Sequence, residues 1–210
     1  MKEVALSPAL SQRMGDGRVW YPRIKRLLDV GLSLVGLALG APLLLFFGAL
    51  IRLESKGPVF YKQVRAGLDG KPFIILKLRS MVVRAESNGQ QWAVKDDVRA
   101  TRVGRFIRKT KIDELPQLIN VLRGEMSIVG PRPERPALIV SFSREVAGFK
   151  ERLRVKPGLT GWAQVHGGYE LSPAEKLRFD LYYIRHQSLG LDLRIIGKTF
   201  GVLIGGKGSW

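Results

Sequence analysis

Cysteine is absent from this chain of 210 residues, and histidine occurs only at His166 and His186. Without thiols there is no disulfide, no cysteine-ligated zinc and no thiol nucleophile, and two histidines do not make a histidine-rich metal site. Acids are scarce too: 18 Asp and Glu stand against 35 Lys and Arg, a formal net charge of +17. That excess implies an anionic partner, whether nucleic acid, acidic lipid headgroups or a phosphorylated substrate. Internal repeats and low-complexity tracts are missing as well.

What the chain does have is one long uncharged run. Residues 30–51 are 22 positions without a charge, with Pro42 near the middle. At ~1.5 Å per residue a straight helix of that length would just cross the ~30 Å hydrocarbon layer of a bilayer. Pro42 lacks the N–H that would bond the Ala38 carbonyl, so the helix is expected to bend sharply or break there. Each half then reaches only about half-way across. Both flanks are basic, with Arg13, Arg18, Arg23, Lys25 and Arg26 upstream and Arg52, Lys56, Lys62 and Arg65 downstream. Because Lys and Arg mark the cytoplasmic side of a membrane segment, two basic flanks favour a hairpin that enters and leaves by one face. Ser33 or a neighbouring helix would then serve the carbonyls freed around Pro42. The alternative is a kinked spanning helix; a secretory signal is disfavoured because no small-residue cleavage pattern follows the run.

The organisation reads as a polar lead-in at residues 1–20, the membrane helix with its break at 21–55, and one soluble body at 56–210. The expected class is α+β: a re-entrant helix-break-helix element beside a mainly helical domain, with a small β-hairpin and interfacial amphipathic helices. Residues 59–61 and 73–76 form the hairpin around an Asp69-Gly70 turn. Residues 84–98 read as a surface loop. Arg99, Arg102, Arg105 and Arg108 recur every third residue, a stripe suited to phosphates or to anionic lipid. A helix is expected from Thr110 as N-cap, with Asp113 completing a capping-box-like arrangement, Pro116 in the first turn and Gly124 at the end. Ser172 and Glu175 form a second capping box that opens a helix toward His186. Asp192 caps a third, which runs to about residue 204 and either lies among headgroups or packs on a core.

Asp113 and Glu114 follow a cationic stretch. First-turn acids stabilise a helix dipole by about 0.3–1 kcal/mol, and that alone can account for them. If helical, the two side chains diverge by ~100°, so one could attack or hold a metal while the other assists. A carboxylate near several arginines is expected to keep a low pKa and remain ionised. Lys77 and Arg79 alternate on one strand face, and Arg132 sits between Pro131 and Pro133 in a stiff loop. Each of these cations is either a phosphate ligand or a solvated charge.

Four stretches carry a combined pattern: Lys25-Arg26 through Pro42 to Gly57-Pro58-Val59-Phe60; Lys77-Leu78-Arg79-Ser80-Met81; Arg108 through Asp113-Glu114-Leu115-Pro116-Gln117 and Asn120 to Gly130-Pro131-Arg132-Pro133; and Lys156-Pro157-Gly158-Leu159-Thr160-Gly161-Trp162-Ala163-Gln164-Val165. Together they resemble the bacterial sugar transferases, small monotopic phosphoglycosyl transferases that start polysaccharide and glycoconjugate assembly on a polyprenyl carrier. The resemblance implies transfer of a sugar phosphate from a UDP-sugar to undecaprenyl phosphate, with UMP released. It implies a covalent nucleophile at Asp113 with Glu114 beside it, Mg²⁺ at that pair, and a re-entrant helix at Pro42. It also implies an inner (cell) membrane location with the catalytic body on the cytoplasmic face. Diphosphate oxygens would meet Arg108, Arg132, Lys77 and Arg79. Gln164 and His166 would contact nucleotide or sugar, or else form a structural turn. Many family members place serine before the helix-breaking proline, whereas this chain has Ala41, so the bend rests on Pro42 and packing.

Membrane lipid is an expected partner and nucleic acid is not, since there is no reading motif or aromatic stacking series. A homodimer is the default assembly. Two rival functions fit the charge: a membrane-tethered nucleic-acid-binding protein, and a non-catalytic scaffold that gathers anionic lipid.

Overall fold

The computed structural model describes residues 20–83, 85 and 97–205, apart from the side chains of Tyr169 and of 203–205. Nearly all of the lead-in and most of the loop expected at 84–98 lie outside the described residues.

Helix α1, Tyr21–Glu54, begins with Pro22 in its first turn, where a missing N–H leaves no bond unmade. Its 34 residues span ~50 Å, and it is long and apolar enough to cross a membrane. The expected break is not there: α1 is one continuous helix through Pro42. Packing on both sides of the proline holds it. Gly36 and Gly40 let Leu118 and Leu115 approach before it, and Phe47 and Ile51 pack with Leu78 and Ile107 after it. Ser33 does not serve the proline's carbonyls either; its hydroxyl is buried without a partner among the described residues.

Polar ties fix α1 to the body at both ends. Near the start, Tyr21 and Lys25 donate to Asp192 at 2.9 and 3.0 Å. Arg26 donates to the Val121 and Leu122 carbonyls, and Asp29 accepts from the Ser127 hydroxyl and the Ile128 amide. At the far end, the Arg79 guanidinium donates to the carbonyls of Ile51, Ser55 and Lys56 and to the Ser55 hydroxyl. These bonds satisfy carbonyls that any helix leaves open at its C-terminus. The opposite face of α1 exposes Leu28, Leu32, Val35, Leu39 and Phe46, an apolar stripe.

Strands β1, Phe60–Ala66, and β2, Pro72–Leu78, form the expected antiparallel hairpin, with Phe60 opposite Leu78 and Ala66 opposite Pro72. Asp69 and Gly70 take φ of 53° and 76°, the left-handed geometry that an Asp-Gly hairpin turn provides. Alternation along β2 buries Phe73 and Ile75 against Val121 and Met126 and leaves Ile74 exposed.

Helix α2, Arg102–Lys109, is capped by Thr101, and the short α3, Gln117–Leu122, closes at Gly124 with φ 79°. A parallel pair follows, β3 (Ser127–Val129) beside β4 (Gly158–Thr160). Between them lie α4, Pro136–Glu145, and a 3₁₀ segment, Phe149–Arg154. Helix α5, Pro173–Arg185, opens on the complete Ser172–Glu175 capping box. Helix α6, Leu189–Gly205, starts earlier than expected: Ser188 caps it by accepting from the Leu191 amide. Asp192 is instead a buried junction, accepting from Tyr21, Lys25 and Tyr183. Leu193 and Phe200 of α6 are exposed.

Candidate active site

The acid pair does not open a helix. Thr110 ends α2, where its hydroxyl donates back to the Phe106 carbonyl at 2.9 Å, so it is a C-cap and not the expected N-cap. Lys111 then turns the chain with φ 59°, and Ile112–Glu114 makes a single 3₁₀ turn ahead of Pro116. The turn drives both acids inward, leaving Asp113 6% and Glu114 8% exposed.

Their surroundings differ. Glu114 Oε1 accepts from Lys77 Nζ of β2 at 2.7 Å and from Arg132 Nη2 at 2.6 Å, while Arg132 Nη1 stands 3.4 Å from Oε2. Burial alone would raise this carboxyl, but Arg132 and Lys77 outweigh it and hold the group well below the usual carboxylate range. Asp113 accepts no hydrogen bond among the described residues, and its Oδ1 is buried without a partner. Burial pushes its carboxyl up to about 6, opposed chiefly by the charge of Lys77 and assisted by the charge of Glu114. The low pKa expected for Asp113 is therefore found at Glu114 and not at Asp113, because the neighbouring cations bond the former.

A cavity of about 520 Å³ adjoins the pair. Its lining is in part apolar, with Leu43 of α1, Leu115, Ile128, Leu138, and Ile196 and Phe200 of α6. It also carries the charged residues Lys111, Glu114, Arg132, Arg65, Arg135, Arg152 and Lys176. Asp113, between Lys111 and Glu114 in the chain, does not itself line the cavity.

Of the cations expected at the site, the fold brings Lys77 and Arg132 onto Glu114, and the charge of Arg108, in the last turn of α2, acts on Asp113. Arg79 is not with them. Its buried guanidinium caps α1: Arg79 stands just past the end of β2, so the strand's shared face does not carry it to Glu114 with Lys77, and it reaches the carbonyls at the helix end. Gln164 lines the cavity with its amide N–H donated to the Leu159 carbonyl. His166 does not; it is tilted against Trp162 and stacked on Phe179, with Nδ1 on the Trp162 carbonyl and Nε2 3.0 Å from Lys198. Sequence reasoning did not place Arg65, Glu134, Arg135, Arg152 and Lys176 at the site, and it read Lys111 only as a neighbour of the phosphate-seeking arginine stripe. Arg152 meets Asp180 only through tertiary packing.

Residues 20–206 match the family described as bacterial sugar transferase. The chain belongs to that family. It is similar to an Aeromonas hydrophila protein named UDP-N-acetylgalactosamine-undecaprenyl-phosphate N-acetylgalactosaminephosphotransferase, 44% identical over 90% of this chain and 45% of that one. It is 48% identical to a Bacillus subtilis protein named putative undecaprenyl-phosphate N-acetylgalactosaminyl 1-phosphate transferase, over 72% of this chain and 85% of the relative. A Klebsiella pneumoniae protein named UDP-glucose:undecaprenyl-phosphate glucose-1-phosphate transferase is 45% identical over 83% of this chain and 39% of its own. The chain thus spans less than half the length of the Aeromonas and Klebsiella relatives.

Proposed function

We propose that the protein transfers a sugar 1-phosphate from a UDP-sugar to undecaprenyl phosphate, yielding undecaprenyl diphosphate-sugar and UMP at the start of surface-polysaccharide or glycoconjugate assembly. The observation that carries this reading is the composition of the cavity lining: apolar side chains that include Leu43 of α1 share it with a set of cations and with the clamped Glu114. A lipid phosphate needs both kinds of group, and a nucleotide diphosphate needs the cations. The names of the relatives differ in the sugar, so the proposal stops at a UDP-sugar.

The chemistry runs in two steps. An Asp113 carboxylate oxygen attacks the β-phosphorus, the bond from that phosphorus to the bridging oxygen breaks, and UMP leaves with the oxygen. A phosphate oxygen of the lipid then attacks the same phosphorus, the acyl-phosphate bond breaks, and the carboxylate is restored. Asp113 must turn into the cavity to reach the donor, and having no hydrogen bond it sacrifices none by doing so. Arg132 and Lys77 place positive charge where the phosphoryl group passes, with Arg108 adding its charge beside Asp113.

Mg²⁺ fits this donor set in part. Of the expected pair of ligands, Glu114 has its Oε1 held by Lys77 and Arg132 and its Oε2 only 3.4 Å from Arg132 Nη1, while Asp113 Oδ1 is a carboxylate oxygen without a partner among the described residues. No group of three metal-ligating side chains gathers among the described residues, so Asp113 would hold the ion together with donor phosphate oxygens and water. Bound there, Mg²⁺ would neutralise charge on the diphosphate.

In this reading the body lies on the cytoplasmic face of the cell membrane, with α1 embedded from that side. Support comes from the ties of Tyr21 and of Ile51 to one polar body, which a helix crossing the bilayer would have at one end only. The exposed stripe of Leu28, Leu32, Val35, Leu39 and Phe46 would face lipid. A panel of UDP-sugars incubated with undecaprenyl phosphate in nanodiscs tests the reaction: at least one should release UMP, and silence from every UDP donor would reject the reading. Thiol labelling of single cysteines placed at Trp20 and Ser55 in intact cells should find both shielded from impermeant reagent; reaction at one alone would mean a spanning helix.

A further inference from the structure

The loop that carries Arg132 is held at four successive carbonyls. Pro131 accepts from the Gly158 amide at 2.9 Å, Arg132 from Arg152 Nη2 at 3.1 Å, Pro133 from Arg65 Nη1 at 3.0 Å, and Glu134 from the Ala66 amide at 2.9 Å. Three of these donors belong to strands β4 and β1. Arg152 does not: it comes from the 3₁₀ segment Phe149–Arg154, and a second charge holds it in place. Its Nε and Nη2 both meet Asp180 Oδ2 of α5, at 2.9 and 2.8 Å, and Arg152 is 3% and Asp180 1% exposed. A line of bonds thus runs from α5 through Arg152 to the Arg132 carbonyl, and from the Arg132 fork to Glu114.

A pair buried to that depth adds little net stability over two well-packed apolar side chains of similar size. What apolar side chains lack is a donor for the Arg132 carbonyl. That carbonyl matters because the flanking prolines leave the loop only partly fixed. Pro131 and Pro133 set their own φ, and Pro133 keeps Arg132 in the extended region, but this region is tens of degrees wide. The bond from Arg152 selects one orientation of the Arg132–Pro133 peptide plane within it. A tilt of about 10° there carries the end of so long a side chain by ~1 Å, and misplacement on that scale can cost about 10²-fold in rate.

We propose that Arg152, anchored by Asp180, is a positioning residue that aims the Arg132 fork at the phosphoryl group being transferred. The assignment rests on the reading of this cavity as a phosphoglycosyl transferase site. Its test uses the full chain with the paired replacement Arg152→Met and Asp180→Leu, which removes both buried charges together. UMP release is measured from a donor that the parent turns over, once in the parent background and once in Arg132→Ala. The expected result is a fall of about 10- to 100-fold in kcat/KM, carried mainly by kcat, in the parent background. In Arg132→Ala the same replacement should cost less than about two-fold, since residues that act as a unit are not additive. Thermal unfolding reports the fold, and if the paired replacement does not fold, Arg152→Lys, which keeps a charge on Asp180, reads the same coupling in the same two backgrounds. An equal loss in both backgrounds would mean that Arg152 serves the substrate directly or the fold at large, and would overturn the proposal, as would parent-like kcat/KM. A parent protein that releases no UMP from any donor would overturn the underlying reaction, and this assignment with it.

Discussion

Asp113→Asn is expected to lower steady-state UMP release by about 10⁴-fold, the scale on which removal of a covalent nucleophile acts. Asparagine keeps the shape of a side chain that is 6% exposed and makes no hydrogen bond, so the loss would be chemical and not a failure to fold. The same carboxyl sets the pH dependence. Asp113 attacks only when ionised, and burial pushes its carboxyl up to about 6. The first half-reaction should therefore gain rate as pH rises through about 6 and level off above it. An unburied aspartate, titrating near 3.9, would leave the rate flat across that interval. Parent-like turnover by Asp113→Asn would remove Asp113 from the chemistry.

Arg132→Ala should cost about 10²–10³-fold in kcat/KM, roughly 3–4 kcal/mol of transition-state stabilisation, as for the loss of one preorganised donor to developing charge. The variant takes a 2.6 Å partner from Glu114 and leaves that buried carboxylate on Lys77 alone. Arg132→Lys restores the charge but not the planar fork, and should recover little of the rate. A loss of only a few-fold in Arg132→Ala would return the residue to the role of a solvated charge in a stiff turn.

Local signals were legible in the sequence. The Asp69-Gly70 hairpin and the Ser172–Glu175 capping box each depend on a few adjacent residues, and both formed as expected. Gly124 stopped α3 for the same reason. Signals that admit two local outcomes misled. Thr110 can cap either the helix before it or the one after it, and its hydroxyl bonded backward to Phe106. Pro42 can break a helix, yet contacts from Leu115, Leu118 and Ile107 hold α1 continuous across it. Features built by distant contacts had no signal at all. The parallel β3–β4 pair joins three-residue strands far apart in the chain, and Arg79 found the end of α1 through carbonyls more than twenty residues away. At the site, the residue types were readable but their division of labour was not. Nothing adjacent in sequence shows that Lys77 and Arg132 both bond Glu114 and leave Asp113 unbonded and protonatable near neutrality.

Intact-protein and peptide mass spectrometry on enzyme mixed with a UDP-sugar and no lipid acceptor tests the central claim most directly. The account predicts a phosphosugar adduct on Asp113 that disappears when undecaprenyl phosphate is added, with stoichiometric UMP formed beforehand. An adduct on Glu114, or sustained transfer to lipid with no adduct on either acid under rapid quench, would contradict it.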